Sequence, residues 1–202
     1  MNKKLLLLQI MILFLATTLF ASIAEAGGVE YEKEDEGWIV EIRIGRVFYY
    51  THGTAVWGHE FGFFKDVNYC SRDTLWLSFS SSEENVKDFV GRDVVILLDV
   101  DGKEFRVKTP MLGAGTIGLT NIMTFTNWSP GEQLMDALMK GRYVKVQILE
   151  PKELEALLDI KKDRFGLKGF AASRKEAESV CRVNAPPEKE IKELNIAKGA
   201  NK

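Results

Sequence analysis

The sequence predicts a mainly β fold, a β-sandwich or partly open barrel with two or three short peripheral helices late in the chain and one disulfide. Three observations lead there. Residues 93–109 form an apolar run that meets Asp101-Gly102 and leaves it as a shorter alternating run. Asp-Gly between two such runs is a two-residue hairpin turn, because that turn needs positive φ at both central residues. In this register Val94 faces Thr109, Ile96 faces Val107 and Leu98 faces Phe105, all on one side of the sheet. Short alternating segments recur between turn signals, while helical stripes come only late. Finally, the chain has two cysteines, Cys70 and Cys181, and in an exported protein an even pair reads as a disulfide.

Export is predicted by residues 1–26. Lys3 and Lys4 precede an apolar run over 5–21, and Ala24-Glu25-Ala26 is a small-x-small site before Gly27. The run approaches the length of a short membrane span, but the cleavage site and the polar residues after it favour removal between Ala26 and Gly27. That places the protein in the periplasm or outside a bacterial cell, with no membrane span left after cleavage. Residues 27–36 read as a flexible lead-in, 37–184 as a single β-rich domain, and 185–202 as a disordered charged tail after Pro186-Pro187.

Within the domain, Trp38, Val40, Ile42 and Ile44 alternate with Glu41 and Arg43 as a half-buried strand. Gly45 breaks it, and residues 46–51 return with Val47 and Tyr49 opposed to Phe48 and Tyr50. Residues 55–66 are the most aromatic segment. Leu75, Leu77 and Phe79 then mark a strand, and 86–91 a short bridge into the central hairpin. Residues 110–118 read as a Gly-rich connection and 119–126 as another strand. Ser129, with Pro130 next and Glu132 three on, is a capping box for a helix bearing Leu134, Met135, Leu138 and Met139. Capping therefore explains Ser129 better than the glycosylation triplet Asn127-Trp128-Ser129 does. A strand with Val144, Val146 and Ile148 inward follows, then a short helix over 151–160 and a last strand at Phe165 and Leu167. Ser173 and Glu176 repeat the box spacing, so that a C-terminal helix carries Ala177 and Cys181 on one face and is pinned to the segment before Leu75.

Charge and motifs narrow the function. The 27 basic and 29 acidic residues give a net charge of −2, which becomes −3 when Lys3, Lys4 and Glu25 leave with the leader. A near-neutral chain excludes nucleic acid as a general electrostatic partner. Gly113, Gly115 and Gly118 match the spacing of a dinucleotide loop, but no strand–turn–helix context surrounds them, so no cofactor is expected. Asp99, Asp101 and Glu104 crowd the hairpin tip. They lack a calcium-loop pattern, and either the tip frays into solvent or a cation sits there. His52, His59 and Glu60 are the one histidine-centred set, and a metal-dependent hydrolase built on them is the enzymatic alternative. Trp57, Phe61, Phe63 and Phe64 fit either the core or an exposed rim that grips a partner.

The strand at Val144, Val146 and Ile148, the run Phe165-Gly166-Leu167-Lys168-Gly169-Phe170, then Ala177 and Cys181, with Trp38 opening the domain after a leader, resemble the invasion-associated locus B family. These are small exported bacterial β-sandwich proteins that end in a strand, a Gly-Phe turn and a short helix. The resemblance implies an envelope or host-interaction role rather than a catalytic one. The expectation is thus an exported, non-enzymatic binding protein with a protein partner in the envelope or outside the cell. An inhibitor or immunity protein against a secreted enzyme has the same features.

Overall fold

Four tight turns set the layout. In the computed structural model, which describes residues 31–127 and 130–185, the strands are β1 (Tyr31–Asp35), β2 (Trp38–Arg43), β3 (Arg46–His52), β4 (Glu60–Asp66), β5 (Thr74–Ser81), β6 (Asp93–Val100), β7 (Lys103–Ile117), β8 (Thr120–Asn127), β9 (Tyr143–Glu150) and β10 (Lys162–Gly166). Three of the turns have both central residues at positive φ: Glu36-Gly37 (51° and 79°), Ile44-Gly45 (50° and 68°) and Asp101-Gly102 (49° and 95°). This is the hairpin geometry that follows the natural twist of antiparallel strands. The fourth, Gly118-Leu119 between β7 and β8, has Gly118 at 62°. The expected leader over 1–26 with its Ala26-Gly27 junction, Ser129, and the expected charged tail from 186 onward lie outside the described residues.

All neighbouring strands are antiparallel, in the order β1-β2-β3-β4-β5-β8-β7-β6-β9-β10. The β6–β7 register is the expected one, with Val94, Ile96 and Leu98 opposite Thr109, Val107 and Phe105. β7 belongs to two layers: its first half pairs with β6 and its second half with β8, with a register shift between Met111 and Gly113. The other end of the sheet returns to the first layer, where the Trp38 indole N–H donates to the Gly166 carbonyl at 3.0 Å. Between the layers lie Trp38, Tyr49, Phe61, Phe63, Leu77, Ile96, Leu98, Val146, Ile148 and Phe165, all buried. Three helices, α1 (Glu132–Lys140), α2 (Lys152–Ala156) and α3 (Phe170–Asn184), are peripheral, and a 3-10 turn covers Glu84–Phe89. Phe170 at the start of α3 packs on Trp38, Tyr49 and Phe63, with ring centroids 5.1, 6.0 and 5.7 Å away.

The disulfide Cys70–Cys181 joins the β4–β5 connection to α3, with Cα atoms 5.6 Å apart. A second lock lies between the same elements. Asp73 accepts from Lys65 Nζ (2.5 Å) and the Tyr49 hydroxyl (2.7 Å) through Oδ1, and from Arg174 Nε (2.9 Å) and Nη2 (2.7 Å) through Oδ2. Burial by itself would raise the Asp73 carboxyl, but the bonds from Lys65, Tyr49 and Arg174 outweigh it and hold the group below its ordinary range.

Five local expectations are corrected. Residues 31–35 of the supposed lead-in form β1, because Glu36-Gly37 makes a hairpin that recruits this segment to β2. Ile44 is a turn residue and 84% exposed, so the inward face of β2 ends at Ile42. The Gly-rich connection over 110–118 is the second half of β7, its strand character supplied by backbone pairing to β8. α1 begins at Glu132 behind Gly131 at φ 81°, without a side-chain cap, so Glu132 stands too early in the helix for the box. Ser173 lies inside α3 and is buried, because Gly169 at φ 91° turns the chain into the helix at Phe170.

Candidate functional site

The residues joining β3 to β4, 53–58, form a loop whose backbone is tied to a buried carboxylate. Asp163 of β10 accepts from the amides of Thr54 and Ala55, both at 3.0 Å, and from the Thr54 hydroxyl at 3.2 Å. The amide of Arg164 donates to the same Oδ1 at 2.7 Å. The other oxygen, Oδ2, faces His59 Nδ1 at 3.1 Å, and both side chains are fully buried. Loop and strand are further joined by the Thr54 amide donating to the Arg164 carbonyl at 3.2 Å, and the loop is closed by the Gly53 amide donating to the His59 carbonyl at 2.8 Å. Gly53 is required by space: a Cβ there would sit 2.1 Å from Asp163 Oδ2. At the other end Gly58 has φ 88°, and its carbonyl accepts from the Ser78 hydroxyl at 2.7 Å. A chain held at both ends and bonded along one side is ordered before any partner arrives.

At the crest stands Trp57, 68% exposed. Beneath it residues 52–58 line an open hollow of about 280 Å³. His52 and Glu60 flank the loop on the outer face of the sheet, 3.6 Å apart, and the His52 ring meets Tyr50 edge-on at 5.7 Å. The Glu60 carboxyl is raised by burial, with His52, Ser78 and Arg43 opposing. Behind the loop, burial lowers the His59 pKa against the pull of Asp163 and of the Ser80 backbone. Nδ1 faces a carboxylate oxygen, so it carries the hydrogen and donates to Asp163, and Nε2 is buried with no hydrogen-bond partner. The Phe79 ring, tilted by 36° with centroids 4.4 Å apart, packs against the imidazole.

The structure divides the other candidates. His52 and Glu60 point outward and His59 points inward, as alternation about β4 requires. No group of three or more His, Cys, Asp or Glu side chains among the described residues could hold a metal ion. Of the four aromatics, Trp57 alone is a surface residue. Phe61 and Phe63 are fully buried in the core, and Phe64 is 3% exposed on the outer face, covered by Phe48 at 5.4 Å and by the Arg46 guanidinium. Of the two readings left open, the core holds for Phe61, Phe63 and Phe64 and the rim is cut back to Trp57, because β4 puts Phe61 and Phe63 on its inward face and Phe64 is covered on the outer one. At the hairpin tip, Asp99 Oδ1 accepts the Gly102 amide at 2.6 Å and Oδ2 lies 3.6 Å from Lys145, while Asp101 Oδ2 accepts the Arg142 amide at 2.9 Å. These contacts tie two of the three carboxylates to neighbouring groups, while residues 101–104 stay exposed to solvent. Gly113, Gly115 and Gly118 lie on or at the end of β7, with no helix after them to receive a phosphate.

Another open cleft, of about 640 Å³, is lined by Arg72, Asp73, Glu132, Met135, Asp136 and Arg174 among others. Its buried member, Asp73, has both oxygens engaged by Lys65, Tyr49 and Arg174, so its bonds serve the fold. Asp163 and Lys65 are not among the sequence candidates, although both carry a signal. Asp163, Phe165 and Leu167 alternate on one face, as do Phe61, Phe63 and Lys65. A charge in phase with a core face must be buried with a partner. Among the described residues no helix is long and apolar enough to cross a membrane. No family model, curated protein or solved structure matches this chain.

Proposed function

We propose that this is an exported, non-enzymatic binding protein that presents the 53–58 loop, with Trp57 as its anchor, to a protein partner in the cell envelope or outside the cell. The observation that carries the reading is an exposed tryptophan on a backbone fixed by a buried carboxylate. Exposed tryptophans are rare on solvated surfaces and frequent at the centres of interfaces, where they bury a large area at small entropic cost. A loop already held in shape loses little further freedom on binding. The disulfide supports an oxidising compartment. The envelope or host-facing setting implied by the locus B resemblance belongs to the same proposal.

The test is comparative capture. Immobilised protein is exposed to an envelope extract and to culture medium, beside Trp57→Ala and the exposed apolar control Val183→Ala. The reading expects a partner retained by wild type and by Val183→Ala and lost by Trp57→Ala, with unchanged melting for all three. Full retention by Trp57→Ala would end it.

A further inference from the structure

β10 carries the carboxylate that holds the 53–58 loop, and its outward face carries the opposite charge. In the β9–β10 pair Asp163 and Phe165 stand against Val146 and Val144 on the inner side, while Lys162 and Arg164 stand against Gln147 and Lys145 on the outer. Arg164 and Lys145 are therefore direct cross-strand neighbours of like charge, an arrangement that costs stability. Both lie over the Tyr143 ring, with Arg164 Cζ and Lys145 Nζ each 5.6 Å from its centroid, and Arg142 Cζ approaches it to 6.0 Å. Three cationic groups are thus drawn to one ring. Carboxylates balance them only loosely. Asp101 lies 3.7 Å from Arg142 Nε and Asp99 lies 3.6 Å from Lys145 Nζ, and no carboxylate among the described residues pairs with Arg164. The chain as a whole has a net charge of −2, so the cluster is a local feature and not a share of a generally basic surface.

We infer, on the basis of the binding role proposed for the loop, that its partner is an acidic protein: the partner's carboxylates pair with Arg164, Lys145 and Arg142 while Trp57 supplies the apolar anchor. Arg164 joins the two surfaces. Its carbonyl accepts the Thr54 amide at 3.2 Å, and no more than about 11 Å of chain separates Thr54 from Trp57. An interface of ordinary size, roughly 800 Å² on each side, spans both. The three basic side chains are exposed, and a guanidinium matches a carboxylate with two parallel bonds. On the loop's other flank the acidic groups are already engaged, Glu41 by Arg43 and Glu60 by Ser78 and His52. The loop thus has an open cationic side and a closed, mixed one. An acidic partner also relieves the like-charge pair of Arg164 and Lys145, which a neutral or basic partner does not.

The test uses fluorescein-labelled poly-L-glutamate, titrated with the protein and read by fluorescence anisotropy at low and at physiological salt. Wild type should bind the probe at low salt in spite of its own net negative charge, and bind it less tightly at physiological salt. The double variant Arg164→Gln, Lys145→Gln should weaken binding about tenfold or more while melting as wild type does. The double variant Lys87→Gln, Lys175→Gln removes the same charge from exposed positions elsewhere and should bind as wild type does. No binding at low salt overturns the inference. Equal affinity in wild type and the Arg164, Lys145 variant overturns it too, as does equal weakening in both double variants, which assigns the effect to net charge. Co-sedimentation with phosphatidylglycerol vesicles without binding of poly-L-glutamate gives the cluster to lipid and overturns it as well. Each of these outcomes leaves the Trp57→Ala capture comparison standing, and full retention of the partner by Trp57→Ala ends the loop's role without altering the poly-L-glutamate result.

Discussion

Asp163 is a carboxylate with no route to water, and its partners decide what it does. Three amides, one hydroxyl and one imidazole converge on its two oxygens. Asp163→Ala strands all of them, and losing one side of a buried hydrogen-bonded set costs roughly 3–5 kcal/mol. Denaturant melts should show that loss, and the loop should lose its order with it. His59 makes a separate prediction. Its pKa in the folded protein is below the ordinary value of 6.5. Above that pH neither state is protonated there and the group adds no slope. As pH falls below about 6.5 the unfolded chain takes up a proton that the folded ring resists, so stability drops. Melts at pH 7.5 and 5.5 should show this decline in wild type and a smaller one in His59→Gln. An equal slope in both would assign the pH dependence to other groups.

Among the elements, the hairpins explain what was readable. Asp101-Gly102 was legible, register included, because Asp tolerates positive φ and announces the turn. Glu36-Gly37 and Ile44-Gly45 adopt the same geometry with residues that carry no such signal. β1 therefore looked like a loose lead-in and Ile44 like a core position. The second half of β7 was hidden for a related reason: Gly113, Ala114 and Gly115 have little strand preference of their own, and β8 holds them extended. The loop at 53–58 was half legible. Its tryptophan and glycines stood out, but its anchor lies on β10, more than a hundred residues away in sequence, and one chain read alone does not show such pairings. Gly53→Ala tests the anchor from the loop side. A Cβ 2.1 Å from Asp163 Oδ2 must push the carboxylate or the loop aside, at about 1–3 kcal/mol. Melting should fall accordingly, and Gly58→Ala should also destabilise through its positive φ.

At the scale of the molecule, one covalent bond and one ion cluster tie α3 to the sheet. In the chain-entropy picture, closing the 111-residue separation between Cys70 and Cys181 stabilises by roughly 4–5 kcal/mol. Cys70→Ser should melt lower than wild type in oxidising buffer, and the two should converge under reductant. The Asp73 cluster adds an acid limit. Its carboxyl, held below the ordinary 3.8, contributes stability that is complete above that pH and is lost as pH falls through the folded value. Asp73→Asn should remove this component and cost roughly 3–5 kcal/mol at neutral pH, because Lys65 is left buried without its counter-charge. Fold class and disulfide were legible from alternation and cysteine count, whereas the return of β10 to the first layer was not, since no local residue pattern encodes strand order. That return is what brings Asp163 under the loop and holds Trp57 out. Hydrogen exchange at the Thr54 and Ala55 amides measures it most directly. Both should exchange as slowly as core strand amides in wild type and many times faster in Asp163→Asn; exchange at open-loop rates in wild type would mean that the loop is not held and that Trp57 is not presented on a fixed backbone.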